Sequence, residues 1–233
     1  MSASRAYPEQ LNASVTHKSH VLLWQVWIGY ALIIATVWTP RPMQYLLFWA
    51  AASWFLSWLV IGVSRGESAG LGLRPFRLSA ILIAIGVIAA GAVIAAGILA
   101  GTIHNTFSIG DPLARGSGYL IWAVLQQWIQ QAFFFTRFER VTGSGRVAAF
   151  LAAFLFAVAH LPNPVLTPIT FLGGWLLSEV FRRYRTILPL GIAHGLVGLA
   201  IATSVPGHWL HNMRVGIGYL LYHGLATIER GDV

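Results

Sequence analysis

Four glutamines and two histidines interrupt stretches that are otherwise almost wholly apolar. Gln126, Gln127, Gln130 and Gln131 sit inside Trp122–Arg140, WAVLQQWIQQAFFFTRFER. On an α-helix turning roughly 100° per residue they fall within an arc of about 140°, so they form one polar face. A primary amide surrounded by lipid has no partner, and each must find a hydrogen bond inside a helix bundle. His160 closes an apolar run, Phe154–Pro164 (FLFAVAHLPNP), and His194 lies within Leu188–Gly198 (LPLGIAHGLVG). A histidine at mid-membrane depth characteristically faces a polar cavity. Imidazole can take or give a proton near neutral pH, whereas a carboxamide can only orient and hold. By itself His160 also suits a capping or interfacial role.

The rest of the chain must position these groups. Of 233 residues 57% are hydrophobic and only 9% charged, against about a quarter charged in soluble domains. An integral membrane protein follows. The formal charge of +8 comes from basic residues dispersed among membrane-length runs. They read as topology signals and lipid headgroup contacts, with no nucleic acid as partner. No cysteine is present, which excludes disulfides and cysteine-ligated zinc.

Seven spans near the roughly 20 residues a bilayer requires are predicted: His20–Thr39, Met43–Val63, Ser79–Ile103, Gly118–Thr136, Val147–Leu161, Pro164–Phe181 and Thr186–Ser204. Val215–Ala226 is either an interfacial helix or an eighth span. The fold class is an all-α polytopic bundle, and the first span reads as a retained signal anchor. Four regions follow: a cytoplasmic tail (1–19), N-terminal spans (20–117), a core (118–204) and an interfacial C-terminal tail (205–233). With the N-terminus inside, eleven of the fifteen Lys and Arg residues lie on the inner side. Arg41, Arg115, Arg214 and Arg230 lie outside, a distribution that obeys the positive-inside rule. The loop economy suits a bacterial inner membrane.

Other motifs read blandly. Ser64–Arg77 is an inner loop broken by Gly and Pro, and Gly70–Gly72 lacks the Lys-Ser/Thr of a phosphate loop. Gly143-Ser144-Gly145 reads as a turn beside arginines. The small residues of the third span suit close helix packing. Glu139 and Glu179 lie toward inner helix ends next to arginines and read as ion-paired. An imidazole metal site from His160 and His194, with His208, His211 and His223, is the less favoured reading, since no carboxylate accompanies them and no HExxH occurs. No cofactor is expected.

The ordered set Gln126-Gln127-Trp128-Ile129-Gln130-Gln131, Phe156-Ala-Val-Ala-His160 and His194-Gly-Leu-Val-Gly198 resembles the CPBP family of intramembrane endopeptidases, which includes the type II CAAX prenyl proteases and the Abi-type proteins. That family carries Glu-Glu-x-x-x-Arg, Phe-x-x-x-His and His-x-x-x-Asn on successive membrane helices. Over Gly118–Ser204 the second motif is intact here. The third keeps its histidine and has Gly198 for Asn. The first has glutamine in place of both glutamates and of the arginine. The resemblance implies a membrane-bound peptidase acting on a membrane-associated peptide or protein, with His160, His194, Gln126 and Gln127 at the catalytic positions. Gln130, Gln131 and Asn163 are the candidate substrate-binding residues. A neutral amide cannot replace the family's carboxylate base, so a histidine must act as base if hydrolysis persists. The alternative is a protease-like protein without catalysis that binds or escorts a membrane partner.

Overall fold

The computed structural model describes the backbone of residues 3–64, 76–104 and 112–229, and side chains at 19–64, 76–104 and 116–222. The Gly70–Gly72 reading falls outside the described residues, as do the side chains of Arg5, Lys18, Arg65, Arg74, Arg115, His223 and Arg230 that enter the charge and metal readings.

Within these limits every regular element is helical. Helix α1 spans Ala3–Trp38, α2 Met43–Ser64 and α3 Phe76–Leu99. A helical run then continues unbroken through α4 (Pro112–Gln127), a π-helical segment (Trp128–Phe135) and α5 (Thr136–Thr142). There follow α6 (Gly145–Val158), α7 (Leu166–Tyr184) and α8 (Leu188–Ser204). The short α9 (Gly207–Leu210), a 3-10 turn at His211–Met213 and α10 (Gly216–Glu229) close the chain.

Ser19–Trp38, Met43–Ser64 and Phe76–Leu99 are long and apolar enough to cross a bilayer, with mean hydropathies of 1.8, 1.9 and 2.7. They present large apolar side chains outward, among them Trp24, Trp49, Leu56, Ile85 and Ile98. In water such a surface would aggregate; in lipid it is the solvated face. α6 and α8 are shorter apolar helices. α6 ends at Val158, so His160 stands in the turn beyond it rather than inside a span. The GSG motif is a helix-to-helix turn. Gly143 adopts φ 67° as the C-cap of α5, and Ser144 Oγ accepts from Val147 N at 3.4 Å as the N-cap of α6.

Packing is closest where side chains are smallest. The most extensive helix pairs are α3 with α8, α6 with α7, and α4 with α8. A Cβ on Gly86 would lie 2.7 Å from Ala193 Cα, and one on Gly191 would lie 2.6 Å from Val124 Cα. Backbones meet there because no side chain intervenes. Around the π segment the core is aromatic: Phe133 lies edge-on to Phe55 (5.0 Å) and Phe134 (5.1 Å), and Phe135 to Phe181 (5.4 Å). Arg137 caps this cluster, its guanidinium 3.7 Å from the Phe133 ring centre and its Nε donating to Gln25 Oε1 at 2.9 Å.

Asn163 ties the C-terminal segment to the bundle. It is wholly buried, and its Nδ2 donates to Leu210 O (2.7 Å) and Arg214 O (3.1 Å). Its Oδ1 accepts from Val165 N (3.2 Å) and Leu166 N (2.9 Å), capping α7. The carboxamide proposed from sequence for substrate binding is thus fully occupied by the backbone around it. Removing it orphans buried groups at about 1–3 kcal/mol each and deletes a helix cap. Asn163→Ala is therefore expected to lower the thermal unfolding temperature by several degrees and to open residues 207–215 to added protease. Unchanged melting and proteolysis would refute this clamp.

Candidate functional site

The π-helical segment decides where the glutamines point. Its wider turn, with Thr136 N–H donating to Gln131 O five residues back, displaces the side chains from the even α-helical arc that spacing alone implies. Gln127, Gln130 and Gln131 are 0%, 2% and 0% exposed. Gln126, by contrast, is only half-buried.

The three buried amides bond in series. Gln131 Nε2 donates to Gln127 Oε1 (3.1 Å), and Gln127 Nε2 donates to Gln130 Oε1 (3.2 Å). Gln130 Nε2 then donates to Gly174 O (3.0 Å) and Ser178 Oγ (3.3 Å) on α7. The direction of the series is dictated at its far end. A backbone carbonyl can only accept, so Gln130 must turn its nitrogen toward Gly174, and each earlier amide must follow. Gln131 Oε1 is left at the head, without a donor among the described residues. Ser178, wholly buried, and the Gly174 carbonyl were not singled out from sequence. The legible signal was their own i, i+4 spacing of small residues on α7.

The histidines form a second group. His160 Nδ1 lies 2.6 Å from Phe156 O. Because that carbonyl cannot donate, the proton belongs on Nδ1, and Nε2 presents its lone pair. The Phe156 ring stands 4.7 Å from the His160 ring and 5.9 Å from the His194 ring. Phe156 also reaches the amides, since a Cβ built on Gly174 would meet Gln130 Nε2 at 2.9 Å and Phe156 Cδ1 at 3.2 Å. One phenyl ring therefore touches both imidazoles and borders the amide series.

Depth separates the groups. Gly191 abuts Val124, and Gly195 abuts Leu120 and Ala123, which sets His194 level with Ala123. Gln127 lies about one turn, roughly 5 Å, nearer the Glu139 end of the bundle, the end called inner here. By residue count from the inner ends of the expected spans Gly118–Thr136, Thr186–Ser204 and Val147–Leu161, Gln127 and His194 fall at one depth and His160 further out. Instead the histidines share an outer tier and the buried amides an inner one, with Phe156 between. No hydrogen bond joins the two tiers among the described residues.

The remaining candidates lie apart. Glu179 accepts from Arg182 at 2.7 and 2.9 Å, and Glu139 from Arg185 at 2.6 Å. The Glu179 hydrogen bond raises the Arg182 pKa above its ordinary value. His208 lies edge-on to Trp209, and His211 packs on Tyr219 at 4.6 Å. The left-handed conformation at His211 ends the short helix, so the pair does not share a helical face. Among the described residues no three His, Asp or Glu side chains converge as metal ligands.

Residues 113–200, from α4 into α8, match the family model for Rce1-like type II CAAX prenyl endopeptidases. Over that segment the chain is similar to the CPBP family, in which those endopeptidases fall. No curated protein and no solved structure matches the chain. The matched segment contains both histidines, the amide series, Phe156 and Ser178.

The direction of the amide series is testable. Gln130→Leu removes three hydrogen bonds, to Gln127, Gly174 and Ser178, and each buried group left unpaired costs about 1–3 kcal/mol. Gln130→Glu sets an acceptor against the Gly174 carbonyl and is expected to melt at a lower temperature than the leucine variant at neutral pH. A glutamate variant as stable as the parent would overturn the assigned direction.

Proposed function

We propose that this chain is an intramembrane endopeptidase of the CPBP type whose hydrolysis runs on its two histidines, with glutamine where the family carries its glutamate pair. The observation that carries this reading is the contact of one phenyl ring, Phe156, with both His160 and His194. That contact holds two imidazoles, one in the turn after α6 and one on α8, on one side of a family-matched core. His160, with its proton on Nδ1, offers Nε2 to a water molecule. As the water oxygen attacks the scissile carbonyl, His160 takes its proton. His194 polarises the carbonyl oxygen. Collapse breaks the C–N bond, and the proton held by His160 passes to the departing amine, so the imidazoles end unchanged.

In this reading the glutamines support rather than react. The series from Gln131 to Gly174 braces α7 against the π segment, and only half-buried Gln126 remains for water or peptide orientation. The substrate is a membrane-associated protein or peptide, and no resident cofactor is required. The N-terminus faces the cytoplasm of a bacterial inner membrane, and the helices before residue 118 form the lipid-facing wall of the core.

The amide series also supports the second reading, a protease-like membrane protein that binds a partner without cleaving it. Neutral amides bonded to one another and to α7 build a stable floor with no general base in it.

A fluorogenic farnesylated peptide ending in a CAAX sequence, supplied in lipid vesicles, separates the two. His160→Ala and His194→Ala are each expected to lower kcat at least about 100-fold, the usual contribution of a general base or polarising group. Chelator should leave the rate unchanged. Binding without cleavage by the parent protein would favour the escort reading, and cleavage abolished by chelator would favour a metal.

A further inference from the structure

Gly198 lies one turn beyond His194 on α8, at i, i+4 and therefore on the same side of the helix. Its surface is occupied. A Cβ there would collide with the Tyr119 hydroxyl oxygen and lie 3.0 Å from both Cε1 and Cζ of that ring. The phenol of α4 is thus laid directly on the α8 backbone. Because Cβ vectors tilt toward the helix N-terminus, the space it fills overhangs the turn that begins at His194.

Next to this contact a Cβ on Gly195 would meet Leu120 and Ala123 of α4. Phe156 bounds His194 on the α6 side. Among the described residues the Tyr119 hydroxyl has no hydrogen-bond partner, an unfavourable state for a phenol in apolar surroundings. Tyr119 is nonetheless only half-buried, so its O–H stays within reach of a ligand. The amides, two turns or more from Tyr119 along the same helical run and bonded to one another and to α7, do not compete for that place.

We infer that Tyr119 is the third polar member of the outer tier, donating its O–H to the carbonyl oxygen of the peptide bond presented to His160 and His194. The inference rests on the hydrolytic reading above and deepens it. Tyr119 gives a hydrogen bond and keeps its proton. As negative charge gathers on the carbonyl oxygen, that bond strengthens, which lowers the barrier without altering the substrate's resting affinity. The close approach needed for this geometry is what the absent side chain at position 198 permits.

The test compares Tyr119→Phe, Gly198→Ala and His194→Ala with the parent, using the farnesylated fluorogenic peptide in vesicles. Tyr119→Phe keeps the ring on Gly198 and should melt like the parent by tryptophan fluorescence. Its kcat is expected to fall about 100-fold, the effect of removing one such donor, with KM within about twofold. Gly198→Ala keeps the hydroxyl but pushes it off the helix, and should also depress kcat more than KM; it carries the test should the phenylalanine variant not fold. A Tyr119→Phe enzyme with parental kcat, beside an inactive His194→Ala, overturns the role of Tyr119 and leaves the hydrolytic reading standing. A parent protein that binds the peptide but never cleaves it overturns both.

Discussion

Placing primary amides inside a membrane bundle is the constraint on which the rest of this structure turns. Each carboxamide brings two donors and an acceptor that lipid cannot satisfy. Three of them are reconciled here by bonding head to tail and discharging onto one backbone carbonyl, that of Gly174. That terminus is possible only because residue 174 lacks a side chain, so Gln130 can approach the backbone of α7. The wide π turn brings Gln127, Gln130 and Gln131 into line, and the aromatic cluster of Phe133, Phe134 and Phe135 fills the volume around it. A break in any of these would leave buried polar atoms facing hydrocarbon.

The same arrangement shapes the chemistry. A carboxylate offers acceptors only, so it suits a site where water or a cation supplies donors. The amide series is instead self-contained and directional, which gives α7 a rigid seat and removes the inner tier from proton transfer. What remains able to move a proton lies a turn further out, where His160 presents Nε2 and His194 faces Phe156. The carboxylates Glu139 and Glu179 are held by arginines at the inner helix ends, well away from that tier. Between the tiers Phe156 acts as a partition, apolar toward both.

The C-terminal segment belongs to the same mechanical unit. Asn163 caps α7 and grips Leu210 and Arg214. Gly216 N donates to Leu161 O at 2.7 Å, one residue from His160. The turn that carries His160 is thereby pinned from both sides, which suits an imidazole that must hold one orientation.

Much of this was legible in the residues themselves. Runs of apolar residues near bilayer length identified the first three spans, Ser19–Trp38, Met43–Ser64 and Phe76–Leu99, because backbone hydrogen bonds in lipid must close locally, and that requirement is written in composition. The two histidines and the glutamine set stood out because polar groups are rare where solvation is absent, and the order of the motifs pointed to the family matched over residues 113–200. Tertiary structure alone decided how these groups divide. An α-helical count placed four glutamines on one arc, but the π turn, which depends on packing by Phe133–Phe135, buried three and left Gln126 at the edge. Depth counted from span ends paired Gln127 with His194, whereas the glycine contacts between α4 and α8 set them a turn apart. Asn163 looked like a ligand-binding amide, yet its partners lie 47 and 51 residues away, and Tyr119 carried no mark until Gly198 was seen beneath it. Local sequence states which groups cannot face lipid; which of them face one another depends on close approaches between helices far apart in the chain.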